Sequence, residues 1–488
     1  MRQLSSLDTQ FLAIEDGRRT GHVGALAVYD PRTAPDGVMD CGTMTALLEQ
    51  RLHILPPLRW RLLEMPLRLD YPYWVDDDDF DLSYHVRESA LPSPGDDEQL
   101  SELVSRLHGR ALDRSRPLWE MYVISGLAGG LVAVYTKIHH AVIDGVSGAE
   151  ITGLLMDVDP EGREIPPPEP VPANDPPGDV ERWQRALLGP PRYPARVLRA
   201  APNALPNLED TTLSSVPGVS RVGRLMNRMA GVPGRRRERP PAGAPPAPRT
   251  SFNGRVSPNR RFVFGRLDLD RVKAVKNAYG VTVNDVVVAL AAGTVRRWLL
   301  DHDELPDVPL VAQIPVSVRT AEQAGTYGNR VLMLAVPLHT DIEDPVERLH
   351  TTARSLRDMK DRHQALPADL LIDFNHFIPP ALFSRAARAT FALATSRVGR
   401  PTWNLVVSNV PGPQIPLYCG GARLVAHYPV SVITDGCGLN VTVMSYDGHL
   451  DVGIIADRDQ MPDVATLMPG LQQALEELLD APAAARSS

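Results

Sequence analysis

Two hydrophobic periodicities alternate along this chain. Leu100, Val104 and Leu107 recur at i, i+4 and i+7 behind a Pro-Gly-Asp-Asp start signal, which predicts an amphipathic helix near 97–110. The run LVAVYTKIHH (131–140) alternates instead and is rich in β-branched residues, so it predicts a strand buried on at least one face. Asp144-Gly145 then makes a tight turn, and Ser147 with Glu150 forms a capping box for a helix of about ten residues. Further on, TVNDVVVALAAGTVRRWL (282–299) is apolar on nearly every side and predicts a buried helix with Thr282 as its N-cap. Segments 309–319, 423–433 and 439–457 read as strands, and 463–480 as a terminal amphipathic helix. Strands and helices do not alternate strictly enough for a doubly wound sheet. The expectation is an α/β protein with a mixed sheet in each half.

Proline divides the halves. Of 46 prolines, 20 fall between Pro160 and Pro248. The stretches EIPPPEPVPANDPPGD (164–179) and RRRERPPAGAPPAPR (235–249) sustain neither a helix nor a central strand, because each proline removes a backbone donor and fixes φ. The predicted organisation is a first lobe over 1–160, a connector over 161–249 with short helices, and a second lobe over 250–488. Inside the connector, ERWQRALLGPPRYPARVLRA (181–200) and SRVGRLMNRMAGV (220–232) mix arginines with Trp183, Leu187, Leu225 and Met226. They pack loosely over the lobes with solvated arginines, or they lie on an anionic lipid surface, apolar side down.

Composition narrows the class. A chain of 488 residues, 43% hydrophobic, can bury more than one core. No run of 18 apolar residues and no basic-then-apolar leader occurs, which argues against a spanning helix and against export. Cys41, Cys419 and Cys437 are too few and too scattered for a disulfide framework or a structural zinc site, as in a reducing cytosol. The net charge of −8 argues against nucleic acid as a partner. Arginine supplies nearly all the positive charge, since Lys137, Lys273, Lys276 and Lys360 are the only lysines, and it is spread along the chain.

The informative chemistry is His139-His140 followed by Asp144-Gly145. Adjacent residues at the end of a strand project to opposite faces, so only one of the two imidazoles enters a given cavity and the pair is no chelate. No further ligand lies at metal-binding spacing, so no metal is expected. Two readings remain: a general base, for which neutral imidazole suits cytosolic pH, and a satisfied structural pair. Asp144 can turn back toward the second imidazole's backbone or toward an arginine, and Gly145 frees the turn. There is no G-x-S-x-G elbow, no Walker loop, no G-x-G-x-x-G and no cysteine near the histidines. A base here would act on a substrate hydroxyl or amine directly, without a covalent enzyme intermediate.

The HHxxxDG segment resembles that of the CoA-dependent acyltransferases, which include chloramphenicol acetyltransferase, carnitine acyltransferases and peptide-synthetase condensation domains. Within that superfamily the chain resembles the bacterial wax ester synthase/diacylglycerol acyltransferase family. The match takes in LSSLD (4–8), Trp74-Val75, FDL (80–82), HVR (85–87) and LDRSRPLWE (112–120) in the first half. In the second it takes in Asn284-Asp285, PVSVR (315–319), Gly328-Asn329 and SNVPGP (408–413). The resemblance implies two chloramphenicol-acetyltransferase-like lobes, each a mixed sheet with helices. It implies acyl transfer from acyl-CoA, a co-substrate, to diacylglycerol or a long-chain alcohol, with no resident cofactor. His140 would be the base, His139 would shape the site, and Asp144 would hold the loop through an arginine, Arg59 or Arg61. Asn284 either caps its helix or helps bind the oxyanion. Pro117, Leu118 and Trp119 either pack the core or wall an acyl tunnel, and Ser408-Asn409 order the loop over it. The acidic run Asp76–Asp79 is expected to be a solvated turn. The family also implies a cytoplasmic protein held peripherally on lipid inclusions or the inner membrane. Acylation of a sugar or polyketide alcohol, and an idle coat on lipid inclusions, are the competing expectations.

Overall fold

The computed structural model describes residues 2–142, 151, 153–168, 178–188, 247–317, 331–364, 392, 395, 396 and 399–481. Asp144, Gly145, the Ser147/Glu150 box, Val318-Arg319, Gly328-Asn329, segment 220–232 and most of the remaining connector lie outside these residues.

In the first lobe the chain runs β1 (Arg2–Gln3), α1 (Ser6–Ile14), β2 (His22–Asp30), α2 (Cys41–Arg51), β3 (Trp60–Leu63), β4 (Tyr73–Asp76), α3 (Leu82–His85), β5 (Val86–Ala90), α4 (Asp97–His108), β6 (Trp119–Ser125) and β7 (Val132–His139). The predicted helix near 97–110 is α4. Asp96 accepts the Gln99 N–H at 2.9 Å in a capping box, and Leu100, Val104 and Leu107 all turn inward. The predicted strand over 131–140 is β7, buried on both faces because core packs on each side.

After helix α5 (Asp179–Leu188) come β8 (Arg260–Asp268), α6 (Leu269–Tyr279), α7 (Val283–Asp301), β9 (Leu310–Ser317), β10 (Val331–Leu338) and α8 (Pro345–Gln364). The chain closes with β11 (Leu405–Val410), β12 (Tyr418–Cys419), β13 (Ala422–Val430), β14 (Leu439–Tyr446), β15 (His449–Asp457) and α9 (Leu467–Asp480). Thr282 caps α7 as expected, in a reciprocal box in which Asp285 accepts the Thr282 N–H at 2.8 Å. Segment 439–457 resolves into two strands joined at Asp447-Gly448, whose φ values of 41° and 81° are both positive, as a two-residue hairpin turn requires.

Two six-stranded mixed sheets result, with a small antiparallel sheet β1-β4-β3 beside them. The second-lobe sheet has the order β10-β9-β11-β14-β15-β8, and α6 to α9 enclose an apolar core with it. The first-lobe sheet has the order β12-β13-β2-β7-β6-β5. Its β12 and β13 come from residues beyond 417, so the C-terminal part of the chain completes the sheet that carries the histidines.

A shared core binds the lobes, with Leu26, Leu100, Val104, Phe262, Tyr428 and Ile455 in one cluster. Ser105 on α4 accepts the Phe262 N–H at 2.8 Å, stitching α4 to β8. Asp451, wholly buried, accepts the His427 N–H at 2.6 Å and the Arg266 Nε–H at 2.7 Å. At Gly453 a Cβ would lie 1.8 Å from the Pro429 carbonyl oxygen, so β15 and β13 cross here only because no side chain intervenes.

Candidate active site

The two histidines end in different surroundings. His139 is the last residue of β7 and only 1% exposed. Its backbone N–H donates to the Leu118 carbonyl at 2.9 Å. Its Nδ1 accepts the Ala141 N–H at 3.0 Å, so a ring proton sits on Nε2, 3.2 Å from Glu15 Oε1. Glu15 also accepts the Gly21 N–H at 2.7 Å and the Arg114 Nη2–H at 2.6 Å. Burial raises the Glu15 pKa, but hydrogen bonding and charge from His139 and then Arg114 outweigh it, and the carboxyl is pulled down to about 2. A Cβ at residue 21 would sit 2.8 Å from His139 Nε2, so only glycine fits against the ring. Held by Ala141 at Nδ1 and facing Glu15 at Nε2, His139 is a pin that fixes the turn after β7.

His140 sits on that turn. Its N–H donates to the Gly21 carbonyl at 2.8 Å, and its ring stacks on Phe11 of α1, centroids 4.1 Å apart and 8° from parallel. The residue is half-buried. Arg114, Glu15, Gly21 and the two histidines thus form one continuous clamp, tied further by Arg114 Nη2 donating to the Leu12 carbonyl at 2.6 Å. Sequence reasoning gave Glu15, Arg114 and Phe11 no role. Glu15 and Arg114 are 99 residues apart, and no spacing rule links them.

Other predicted residues divide by location. Pro117, Leu118 and Trp119 are buried directly beside the pair, and Trp119 faces Ile138 across the β6–β7 ladder. Trp119 donates from Nε1 to the Leu58 carbonyl at 2.7 Å and stacks on His85 at 4.5 Å, which is a packing role. Asn284 lies half-buried in the first turn of α7, where Thr282 and Asp285 provide the cap, and no described hydrogen bond or ring contact joins Asn284 to the histidines. Ser408 and Asn409 lie within β11, paired with Thr442 and Val443 of β14, one residue short of the turn that begins at Pro411. Arg59 and Arg61 face the acidic run, at 3.7 Å from Asp76 and 3.4 Å from Asp77. Asp77 is half-buried, and burial raises its pKa despite Arg61, so the run is only partly a solvated turn.

Behind the pair, the sheet encloses charge. The Lys137 ammonium donates to Glu120 at 2.9 Å and to the carbonyls of Leu107 and Arg110 at 3.1 and 3.0 Å. Burial lowers the Lys137 pKa, and Glu120 counters part of that. His108 bonds the Tyr135 hydroxyl at 2.7 Å, and His22 bonds the His108 carbonyl at 2.6 Å. Burial first, then charge on Arg260 and Lys137, takes His108 down to about 3, and burial also lowers His22. Among the described residues, no three His, Cys, Asp or Glu side chains gather as a metal site would need.

Comparison with known proteins identifies the family. Residues 4–287 match the family model of the wax ester synthase/diacylglycerol acyltransferase catalytic domain, and residues 327–479 match that of its C-terminal domain. A Mycobacterium tuberculosis protein provisionally named diacylglycerol O-acyltransferase is 37% identical, over 98% of this chain and 90% of its own length. The O-acyltransferase WSD of Acinetobacter baylyi is 31% identical over 98% of this chain and 96% of its own. The wax ester synthase/diacylglycerol acyltransferase of Marinobacter aquaeolei superposes with a TM-score of 0.68 at 30% identity, covering 98% of both chains. Condensation domains share the fold at a lower level, as the first one of the calcium-dependent antibiotic synthetase shows with a TM-score of 0.55 and 17% identity over 98% of this chain and 97% of its own.

Proposed function

The chain belongs to the wax ester synthase/diacylglycerol acyltransferase family and is an O-acyltransferase, and from that premise we propose that His140 is its general base. The donor is acyl-CoA, acting as co-substrate without a resident cofactor. The acceptor is diacylglycerol, with a long-chain alcohol as the alternative. One observation carries the reading: His139 is fully enclosed, its Nδ1 bonded to the Ala141 N–H and its Nε2 facing Glu15, while the half-buried His140 occupies the turn just beyond it. Of the two imidazoles, His140 is the one a substrate can meet.

In the reaction, the acceptor hydroxyl gives its proton to His140 as its oxygen attacks the thioester carbonyl. The tetrahedral intermediate collapses with loss of the carbon–sulfur bond, and the departing thiolate of CoA takes the proton back from His140. The ring therefore ends as it began. His139 and Glu15 hold the turn, and Leu118 anchors it through the His139 N–H. Asn284, near the positive end of α7, supports the oxyanion, a contribution of roughly 2.7–4 kcal/mol in enzymes where such a donor has been removed. Asp144 and Gly145 shape the loop.

The reaction takes place at a lipid surface on the cytoplasmic side. Support comes from Leu67, Val180 and Trp183, large apolar side chains exposed on two neighbouring elements, α5 and the turn Pro66–Arg68. Among the described residues, no single helix is long and apolar enough to cross a membrane, so attachment would be peripheral.

Replacing His140→Ala tests the assignment. Release of CoA thiol from palmitoyl-CoA with diacylglycerol should fall about 10²–10⁴-fold while circular dichroism stays unchanged. Undiminished turnover refutes the base. A mass-spectrometric product panel with several alcohols then ranks the acceptors.

A further inference from the structure

A cavity of about 450 Å³ lies where the segment following the histidine loop meets the turn that ends β11. Met156 and Val158 form one side; Pro411, Pro413, Ile415 and Leu417 form the other, with Leu424, Met444 and Tyr446 behind. This is the size of a small-ligand pocket. The SNVPGP stretch thus contributes its Pro-Gly-Pro end to a wall. Gly412 hands its N–H to Ser445 Oγ at 3.0 Å, and a Cβ there would lie 2.2 Å from the Ser445 carbonyl oxygen, which pins the turn against β14.

The polar groups around this space are mostly spoken for by the protein. The Tyr446 hydroxyl donates to the Leu424 carbonyl at 3.0 Å and accepts the Leu417 N–H at 2.9 Å. Asp157 pairs with Arg51 at 2.5 Å and with Arg163 at 3.5 Å, and its backbone exchanges two 2.8 Å hydrogen bonds with Tyr418. A guest rich in amides or phosphates would find few partners here, and desolvating it would be costly. A hydrocarbon loses nothing and gains the burial of its methylenes, about 0.8 kcal/mol each. Val158 and Ile415, both largely exposed, extend the apolar lining outward to solvent.

The sheet register locates this space relative to the chemistry. His427, which lines it, pairs with Ala27 on β2, while His139 pairs with His22 on the same strand. The separation is five residues along β2 and two strands across, roughly 19 Å at ordinary strand spacings. A short acyl chain held at His140 stops before that distance. A long one reaches it.

We propose that this cavity receives the far end of a long acyl chain on one of the two substrates, and so sets the enzyme's preference for chain length. The inference rests on the acyl-transfer reading and adds a place where length is measured. Gly153 offers the probe: it lines the cavity, and a Cβ built on it meets no atom within 4 Å. A larger side chain therefore starts from this wall without a clash at its first atom.

The experiment compares wild type with Gly153→Phe and Ile415→Trp by thiol release. One arm uses octanoyl-, palmitoyl- and oleoyl-CoA with a single short alcohol; the other uses palmitoyl-CoA with alcohols of increasing length. The expected result is that the ratio of kcat/KM for the longest chain to that for the shortest falls at least tenfold in both variants. A fall confined to the first arm identifies the donor's chain as occupant, and one confined to the second identifies the acceptor's. Unchanged ratios in both arms, with circular dichroism intact, overturn the proposal. Failure of the His140 assignment looks different, because residual turnover in His140→Ala is read at every chain length alike.

Discussion

The first sheet and the helix-covered face of the second bury different kinds of side chain. Around the first, Lys137, Glu120, His22, His108 and His139 are enclosed on or beside strands β2, β6 and β7, each answered by a carbonyl, carboxylate or hydroxyl. Around the second, the face under α6 to α9 is filled by Val, Leu, Ile and Ala, with α7 apolar nearly all round. The lobe that carries the histidine pair gives up part of its apolar packing to enclose ionisable groups. The other lobe is packing alone on that face, and β12 and β13, borrowed by the first sheet, tie the two together. A buried polar network holds one geometry only while every member is paired, whereas an apolar core tolerates small volume changes.

The contrast is sharpest where a single partner is removed. Lys137→Met leaves the Glu120 carboxylate buried with one cation fewer, and should destabilise the protein by about 3–5 kcal/mol in urea unfolding. Adding Glu120→Gln should restore part of that loss. A cost below about 1 kcal/mol for the single variant would show that water reaches the pair, and the comparison would break. In the second lobe, Leu290→Ala in α7 should cost roughly 2–4 kcal/mol through an unfilled cavity, without any dependence on pH.

The most gradual effect is the slope of stability against pH, and it belongs to the first lobe. His108 stays neutral when folded until about pH 3, yet takes a proton near 6.5 when unfolded. Its contribution is therefore intact above 6.5 and lost as pH falls toward 3, at up to about 1.4 kcal/mol per pH unit. Glu15, held at about 2 against an unfolded value of 4.5, adds a loss between those two values. His108→Gln should flatten the first segment of the curve. If it leaves the slope between pH 6.5 and 4.5 unaltered, other groups govern it.

Much of the fold was legible from local pattern. The helix near 97–110, the strand ending at His139, the capped helix after Thr282 and the terminal helix all lie where periodicity and caps put them, within a few residues. These are features a segment expresses alone. The bond between β13 and β2 was not legible, because strand pairing across some 400 residues depends on which edge is left open, and nothing in RLVAHYPVSVI names its neighbour. The site was legible by half. His139-His140 stood out by its type and position, yet Glu15 carried no signal and Arg114 stood only inside the LDRSRPLWE match, with nothing in either stretch to pair the two. Arg59 and Arg61 lie beside Asp76 and Asp77, while Asp144, their expected partner, lies outside the described residues.

By itself the amino-acid order determined the elements, the proline-rich break between two halves, and the presence of two imidazoles at a strand end. Those follow from short-range geometry, in which side-chain period and backbone freedom act within a few residues. Tertiary structure alone decided which imidazole is locked and which stands at the turn. That choice depends on a carboxylate and a glycine carbonyl from one stretch, Glu15 and Gly21, and a guanidinium from another, Arg114, and such groups meet only when the sheet closes over them.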